Sequence, residues 1–334
     1  MRLYRGSCHY GRELPELPFG FRELFTRGII ATQRKIRASL AFDLTGNDAS
    51  DALISGLESG RPFFVARFGT GELEAAIRGY DIAAPGNFIT KTFRTVSGKS
   101  GPFWWDNSIK AGLNNNAGFF PPTNEAMQRF SDLVVKDARQ IDILGSYTDI
   151  PLYFIQSVLP QATLIPIFDL EPFWNARHWT QCLRGKKVLV VHSMPDTIKA
   201  QYEKRTSLFR TPDMLPEFDL VTYKSVNSAM GLKTEFPDWF AALEKMETDI
   251  AKIDFDIALL GCGAYGMNLG TFIKRDLGKS AMHLGGMLQL IFGIKGKRWE
   301  TDSKYNSLYT DSWTRPLPHE VPSANARIEN GCYW

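Results

Sequence analysis

The chain of 334 residues has no apolar run approaching the ~20 residues that a membrane-spanning helix needs, so no transmembrane anchor is expected. Its opening stretch, MRLYRGSCHYGRELPE, has no apolar core of the kind that marks a secretory leader. Cysteine is scarce. Cys8, Cys182, Cys262 and Cys332 stand alone, without C-x-x-C spacing, which argues against a thiolate zinc site or a disulfide framework and predicts a reducing cytoplasm. No internal repeat and no low-complexity linker interrupts the chain. Net charge is only +3, too small to predict nucleic acid as a partner. What remains is an ordinary soluble composition, 44% apolar and 22% charged, with length for one large α/β domain or two smaller ones.

The small charge is unevenly spread. Residues 1–42 carry Arg2, Arg5, Arg12, Arg22, Arg27, Arg34, Lys35 and Arg37 against Glu13, Glu16 and Glu23, a balance of +5, which leaves about −2 for the remainder. The segment FRELFTRGIIATQRKIRASLAF mixes these basic residues with Phe, Leu and Ile. It reads either as a docking helix with a solvated face or as a basic amphipathic segment lying on an anionic membrane leaflet.

Downstream, apolar runs alternate with helical patterns. Strands are predicted over 62–68, 141–146, 162–167, 187–192, 219–224, 256–261 and 281–284, and helices over 71–79, 123–138, 195–209, 236–252, 264–276 and 286–293. Several runs are almost continuously apolar, as suits strands covered on both faces. The expected architecture is a Rossmann-like α/β fold, mostly parallel, with two halves facing one cleft. It divides into a basic segment over 1–45, a half over 46–185, a second half over 186–299 and an extended tail over 300–334. Residues 86–122 read as an irregular insertion that could serve as a lid or binding loop. Trp104, Trp105 and Phe119 within it are candidates for stacking on sugar faces or for pinning the loop down.

Two stretches carry chemistry. In LLGCGAYG a strand ends and a helix begins, and Gly261, Gly263 and Gly266 satisfy G-x-G-x-x-G in that setting. Glycines let backbone N–H groups approach a phosphate, and a helix N-terminus adds partial positive charge. The same glycines would also serve tight helix–strand packing. No acid stands at the end of the following strand, MHLGG, to hold a ribose, which disfavours NAD chemistry. His192 and His283 end two predicted parallel strands, the edge where open α/β sheets bind ligands, and imidazole is suited to proton transfer near neutrality. Lys295, Lys297 and Arg298 follow and could neutralise a diphosphate. The second stretch, RFGTGELE, places Arg67, Gly69, Thr70 and Glu72 where another strand turns into a helix. It reads as a ligand-facing loop or as a helix start, with Thr70 as cap and Glu72 on the helix dipole.

At these residues the chain resembles the GT-D type of glycosyltransferase, bacterial enzymes of surface-polysaccharide and glycoprotein assembly that carry R-F-G-D-G-E at a strand end. Arg67, Phe68, Gly69, Gly71 and Glu72 match, and Thr70 stands where that group has aspartate. The segments NNAGFFPPT, HSMPDTIKAQYEKR, LLGCGAYG, HLGGMLQLIFGIKGKRW and GCYW resemble an uncharacterised group of bacterial proteins from polysaccharide gene clusters. The resemblance implies a nucleotide-sugar donor, a glycan or lipid-linked acceptor, and Mn²⁺ or Mg²⁺ at Glu72. With threonine a weaker ligand than carboxylate, Lys295, Lys297 and Arg298 would share the charge neutralisation. It implies roles for Arg67, Gly69, Thr70, Gly261, Gly263, Gly266, Lys295 and Arg298 in holding the donor. Glu72, His192 and His283 are the candidates for proton transfer. The alternatives are another nucleotide-cofactor enzyme, such as a methyltransferase, and a non-catalytic assembly protein.

Overall fold

A computed structural model describes residues 41–147, 150–211, 213–322, 331 and 333–334. The basic segment expected over 1–45 lies outside the described residues except for its last five positions.

Seven strands, β1 (Phe64–Arg67), β2 (Ile143–Ser146), β3 (Thr163–Pro166), β4 (Lys187–His192), β5 (Asp219–Lys224), β6 (Ile257–Gly261) and β7 (Ser280–His283), form one sheet in the order β3-β2-β1-β7-β6-β4-β5. Every pairing is parallel. This is a Rossmann-like α/β fold. The two expected halves meet within that one sheet, because β1 pairs with β7 through Phe64 opposite Ala281 and Val65 opposite Met282. The cleft therefore lies along one sheet edge, not between two sheets.

The pleat decides the core. Phe64 and Ala66 enter one apolar cluster and Val65 the other; Leu189 and Val191 face one way, Val188 and Val190 the other. A fully buried aliphatic side chain contributes about 1.5–3 kcal/mol. Such alternation on both faces is why these strands read as continuous apolar runs. Helices α1 (Gly46–Glu58), α2 (Thr70–Ala83), α3 (Phe88–Val96), α4 (Asn107–Ala117), α5 (Asn124–Ala138) and α6 (Leu152–Val158) come from the first half. Helices α7 (Pro195–Tyr202), α8 (Arg205–Leu208), α9 (Trp239–Ile250), α10 (Gly266–Arg275), α11 (Leu288–Ile291) and α12 (Lys297–Glu300) come from the second. Residues of α2, α4, α5, α9 and α10 cover one face of the sheet, and those of α1, α7, α8 and α11 the other.

The insertion over 86–122 is more regular than expected. The Asn87 side chain accepts from the Thr90 N–H to start α3, and Asp106 accepts from the Ile109 N–H to start α4. Gly118, at φ +79°, ends α4 in the left-handed region. Phe119 is fully buried against Phe130 and Trp239. Trp104 contributes its carbonyl to Arg78, and Trp105 packs against the core. The rings of Trp105 and Phe119 and the carbonyl of Trp104 pin the insertion to the domain.

Candidate functional site

Because β1, β7, β6 and β4 are neighbours, their C-terminal ends bring Arg67, His283, Gly261 and His192 into one row. His192 stands opposite Gly261 in the register, and His283 opposite Leu260. Above this row lies a cavity of about 190 Å³ lined by Arg67, residues 69–72, His192, residues 261–263 and His283. It is far larger than a single-water void, so it is a ligand-sized space and not a packing defect. The loops near 70 and 262, far apart in sequence, both line it.

Arg67 extends from the end of β1. Its Nε is buried and has no hydrogen-bond partner, and its guanidinium lies 5.6 Å from the centre of the Tyr147 ring. Gly285 makes room for it: at φ +59° a Cβ there would stand 2.7 Å from Arg67 Nη1. An orphaned buried donor beside a cavity is a place for an anionic or strongly polar ligand. Thr70 does not cap α2 through its side chain; its hydroxyl shares a 2.7 Å hydrogen bond with the Tyr147 hydroxyl. The Glu72 carboxylate folds back into space that only a glycine at 69 leaves open. Burial raises the pKa of Glu72, while Arg67 and its own backbone N–H pull it down less strongly.

The two histidines are buried and neutral. The Met194 N–H donates to His192 Nδ1 at 3.1 Å, which assigns the proton to Nε2, and burial pushes this group down to about 4. His283 Nδ1 lies 3.4 Å from the Leu260 carbonyl; burial, then the Arg67 charge, push it down to about 3. Neither is tuned to accept a proton near neutrality.

The glycine-rich turn is built first for close packing. A Cβ at Gly261 would stand 2.6 Å from His192 Cδ2, and one at Gly263 2.9 Å from the Ala117 carbonyl oxygen. A Cβ at Gly266 would overlap the His283 ring, and Gly266 does not line the cavity. Gly261 and Gly263 do. Of the basic cluster, only Arg298 lines the cavity, its guanidinium 5.0 Å from the Tyr333 ring centre. Lys295 turns to the Tyr309 ring at 5.2 Å, because Ile294 and Lys295 run beside Thr314, and neither it nor Lys297 lines the cavity. Trp104, Trp105 and Phe119 line no part of it.

Sequence reasoning missed most of the polar wall: Asn116, Tyr147, Ser225, Asn227, Ser228 and Gln289. Tyr147 and Ser225 directly follow β2 and β5, so the residue after each parallel strand was the available signal. It also missed Tyr333 and Trp334, which close one side. Gln289 donates to the Tyr333 carbonyl at 3.1 Å, and Gly286 leaves space for the Tyr333 ring.

A divalent cation needs several oxygen ligands converging on one point. Glu72 is the one carboxylate side chain on the cavity wall among the described residues, it folds back on Gly69, and the Thr70 hydroxyl is committed to Tyr147. Among the described residues the cavity therefore offers no preformed cluster of carboxylates for Mg²⁺ or Mn²⁺. The acid-and-histidine trio found among the described residues is Asp196, His319 and Glu320, outside the cavity lining. The Glu320 carboxylate there accepts the N–H groups of Asp196 and Thr197 at 2.8 and 3.0 Å, and so caps α7. No protein-family model, curated protein or solved structure matches the chain.

Proposed function

We propose that the protein is a glycosyltransferase that passes a sugar from a nucleotide-sugar donor to a hydroxyl of a glycan or lipid-linked acceptor, as in bacterial surface-polysaccharide assembly. The observation that carries this reading is the convergence of Arg67, residues 69–72 and residues 261–263 on one cavity, with the buried Arg67 Nε left without a partner. Fold likeness alone would not distinguish a transferase from other α/β enzymes.

In this reading Arg67 and Arg298 neutralise the donor diphosphate, in place of a cation, and the N–H groups near Gly261 and Gly263 approach it. The acceptor oxygen forms a bond to the anomeric carbon while the bond from that carbon to the diphosphate oxygen breaks. The diphosphate leaves with the electron pair. Glu72 takes the acceptor proton, a role favoured over the histidines because burial moves its carboxyl toward neutrality and theirs away from it.

Assay of donor turnover with a panel of UDP-, GDP- and dTDP-sugars tests this. Glu72→Gln is expected to lower turnover by roughly 10²–10⁴-fold while donor affinity stays within a few-fold. Unchanged turnover in that variant removes Glu72 from the chemistry. Thermal stabilisation by S-adenosylmethionine, with none from any nucleoside diphosphate, favours a methyltransferase instead.

A further inference from the structure

Helix α3 is built inside out. At 100° per residue, Phe88, Ile89, Phe93 and Val96 fall within an arc of about 140°. All four are exposed, Ile89 by 76% and Phe93 by 67%. They account for four of the seven exposed large apolar side chains among the described residues. The polar side of the same helix faces the protein. The Lys91 ammonium donates to the Ile82 carbonyl at 2.6 Å, and the buried Thr95 hydroxyl donates to the Gly101 carbonyl at 2.8 Å. A surface helix ordinarily turns its apolar stripe inward. Here the polar side is used for attachment and the apolar side is presented.

Charge identifies what it is presented to. Residues 82–105 contain Lys91, Arg94 and Lys99 and neither Asp nor Glu. Lys99 is exposed just past the C-terminal end of the helix, while Arg94 lies half-buried on the side opposite the apolar arc. An apolar ridge in a basic segment free of acids, with an exposed lysine at its end and on a helix too short to span a bilayer, matches the interface between acyl chains and anionic headgroups. A protein partner would need an acidic groove of matching shape, for which the ridge offers no hydrogen-bonding groups beyond its flank.

We infer that α3 docks this protein on an anionic phospholipid surface, with Phe88, Ile89, Phe93 and Val96 entering the headgroup–acyl boundary and Lys99 meeting the phosphates. The docking surface goes beyond the catalytic proposal and stands without it. Helix α2 begins at the cavity and ends three residues short of the Asn87 cap of α3. Its 14 residues span about 21 Å, so the docking surface lies about one helix length from the site.

Co-sedimentation of the full chain with vesicles tests the inference. One set is pure phosphatidylcholine and the other contains phosphatidylglycerol at one part in three. The wild-type protein is expected to bind the anionic vesicles and to be released as salt rises. The double variant Ile89→Asp/Phe93→Asp is expected to lose about ten-fold or more of that binding. Its melting temperature should match the wild type, since both side chains are exposed. Failure of the wild type to bind anionic vesicles overturns the inference, as does equal binding by the folded double variant. A wild-type dimer that the double variant converts to monomer, in light scattering without vesicles, assigns the face to a second copy and overturns it as well.

Discussion

At Gly266 an added methyl group would occupy the space of the His283 ring. The turn between β6 and α10 therefore needs glycine for packing before any ligand arrives. Gly266→Ala is expected to cost about 1–3 kcal/mol in urea unfolding, the range for overpacking a filled interior. An unchanged midpoint would show that the ring moves aside freely. A second residue-scale effect is electrostatic. Burial raises Asp81 from 3.8 to about 6, partly offset by the Tyr153 hydroxyl and the Gly101 N–H that donate to its carboxylate. With the folded value above the unfolded one, this group's stabilisation is complete below about pH 4 and is lost as pH rises through about 6. The loss is on the order of 3 kcal/mol. Asp81→Asn keeps an acceptor for both donors, so the gap between variant and wild type in denaturant unfolding should move in the variant's favour from pH 4.5 to pH 7.5. A constant gap would contradict it.

At the scale of elements, a distant residue starts α7. Pro195 opens this helix without a side-chain cap of its own, and Glu320 supplies the acceptors for the Asp196 and Thr197 amides. The Thr197 hydroxyl also donates to Glu320. Glu320→Ala should destabilise by about 1–2 kcal/mol in thermal unfolding, as a lost N-cap does. No change would mean that solvent replaces the carboxylate at no cost. This contact illustrates what was legible in sequence and what was not. All seven strands were legible; those inside the sheet are apolar along their length because both faces are buried, while the edge strand β5, DLVTYK, is only half-buried. The helices 88–96 and 107–117 were not read, although Asn87 and Asp106 stand where N-caps belong; the Gly, Pro and Trp around them masked the periodicity. Of the cavity lining, the strand ends and the turns after them were legible, at Arg67, Gly69, Thr70, Glu72, His192, Gly261, Gly263 and His283, together with Arg298. Lys295 shared a basic cluster with Arg298, but its direction is fixed by the contact of residues 294–295 with Thr314, which no local pattern reveals. The polar wall of Asn116, Ser225, Asn227 and Gln289 comes from loops with no signature of their own.

At the scale of the whole molecule, the strand order makes the site. Because β7 and β6 lie between β1 and β4, four loops from distant parts of the chain open onto one stretch of sheet edge. Their charge is supplied by arginine, with Arg67 held against the Gly285 backbone and Arg298 against Tyr333. Among the described residues the cavity wall carries one carboxylate side chain, Glu72, folded onto Gly69. The central claim is that this edge grips a diphosphate through Arg67 without a metal. Isothermal titration of UDP and GDP into the full chain, once in excess EDTA and once in Mn²⁺, tests it most directly, with Arg67→Ala alongside. We predict binding of equal affinity in both buffers and a loss of about ten-fold or more in Arg67→Ala, the effect of removing a charged hydrogen-bonding partner. Binding that requires Mn²⁺, or that Arg67→Ala leaves intact, would contradict the account.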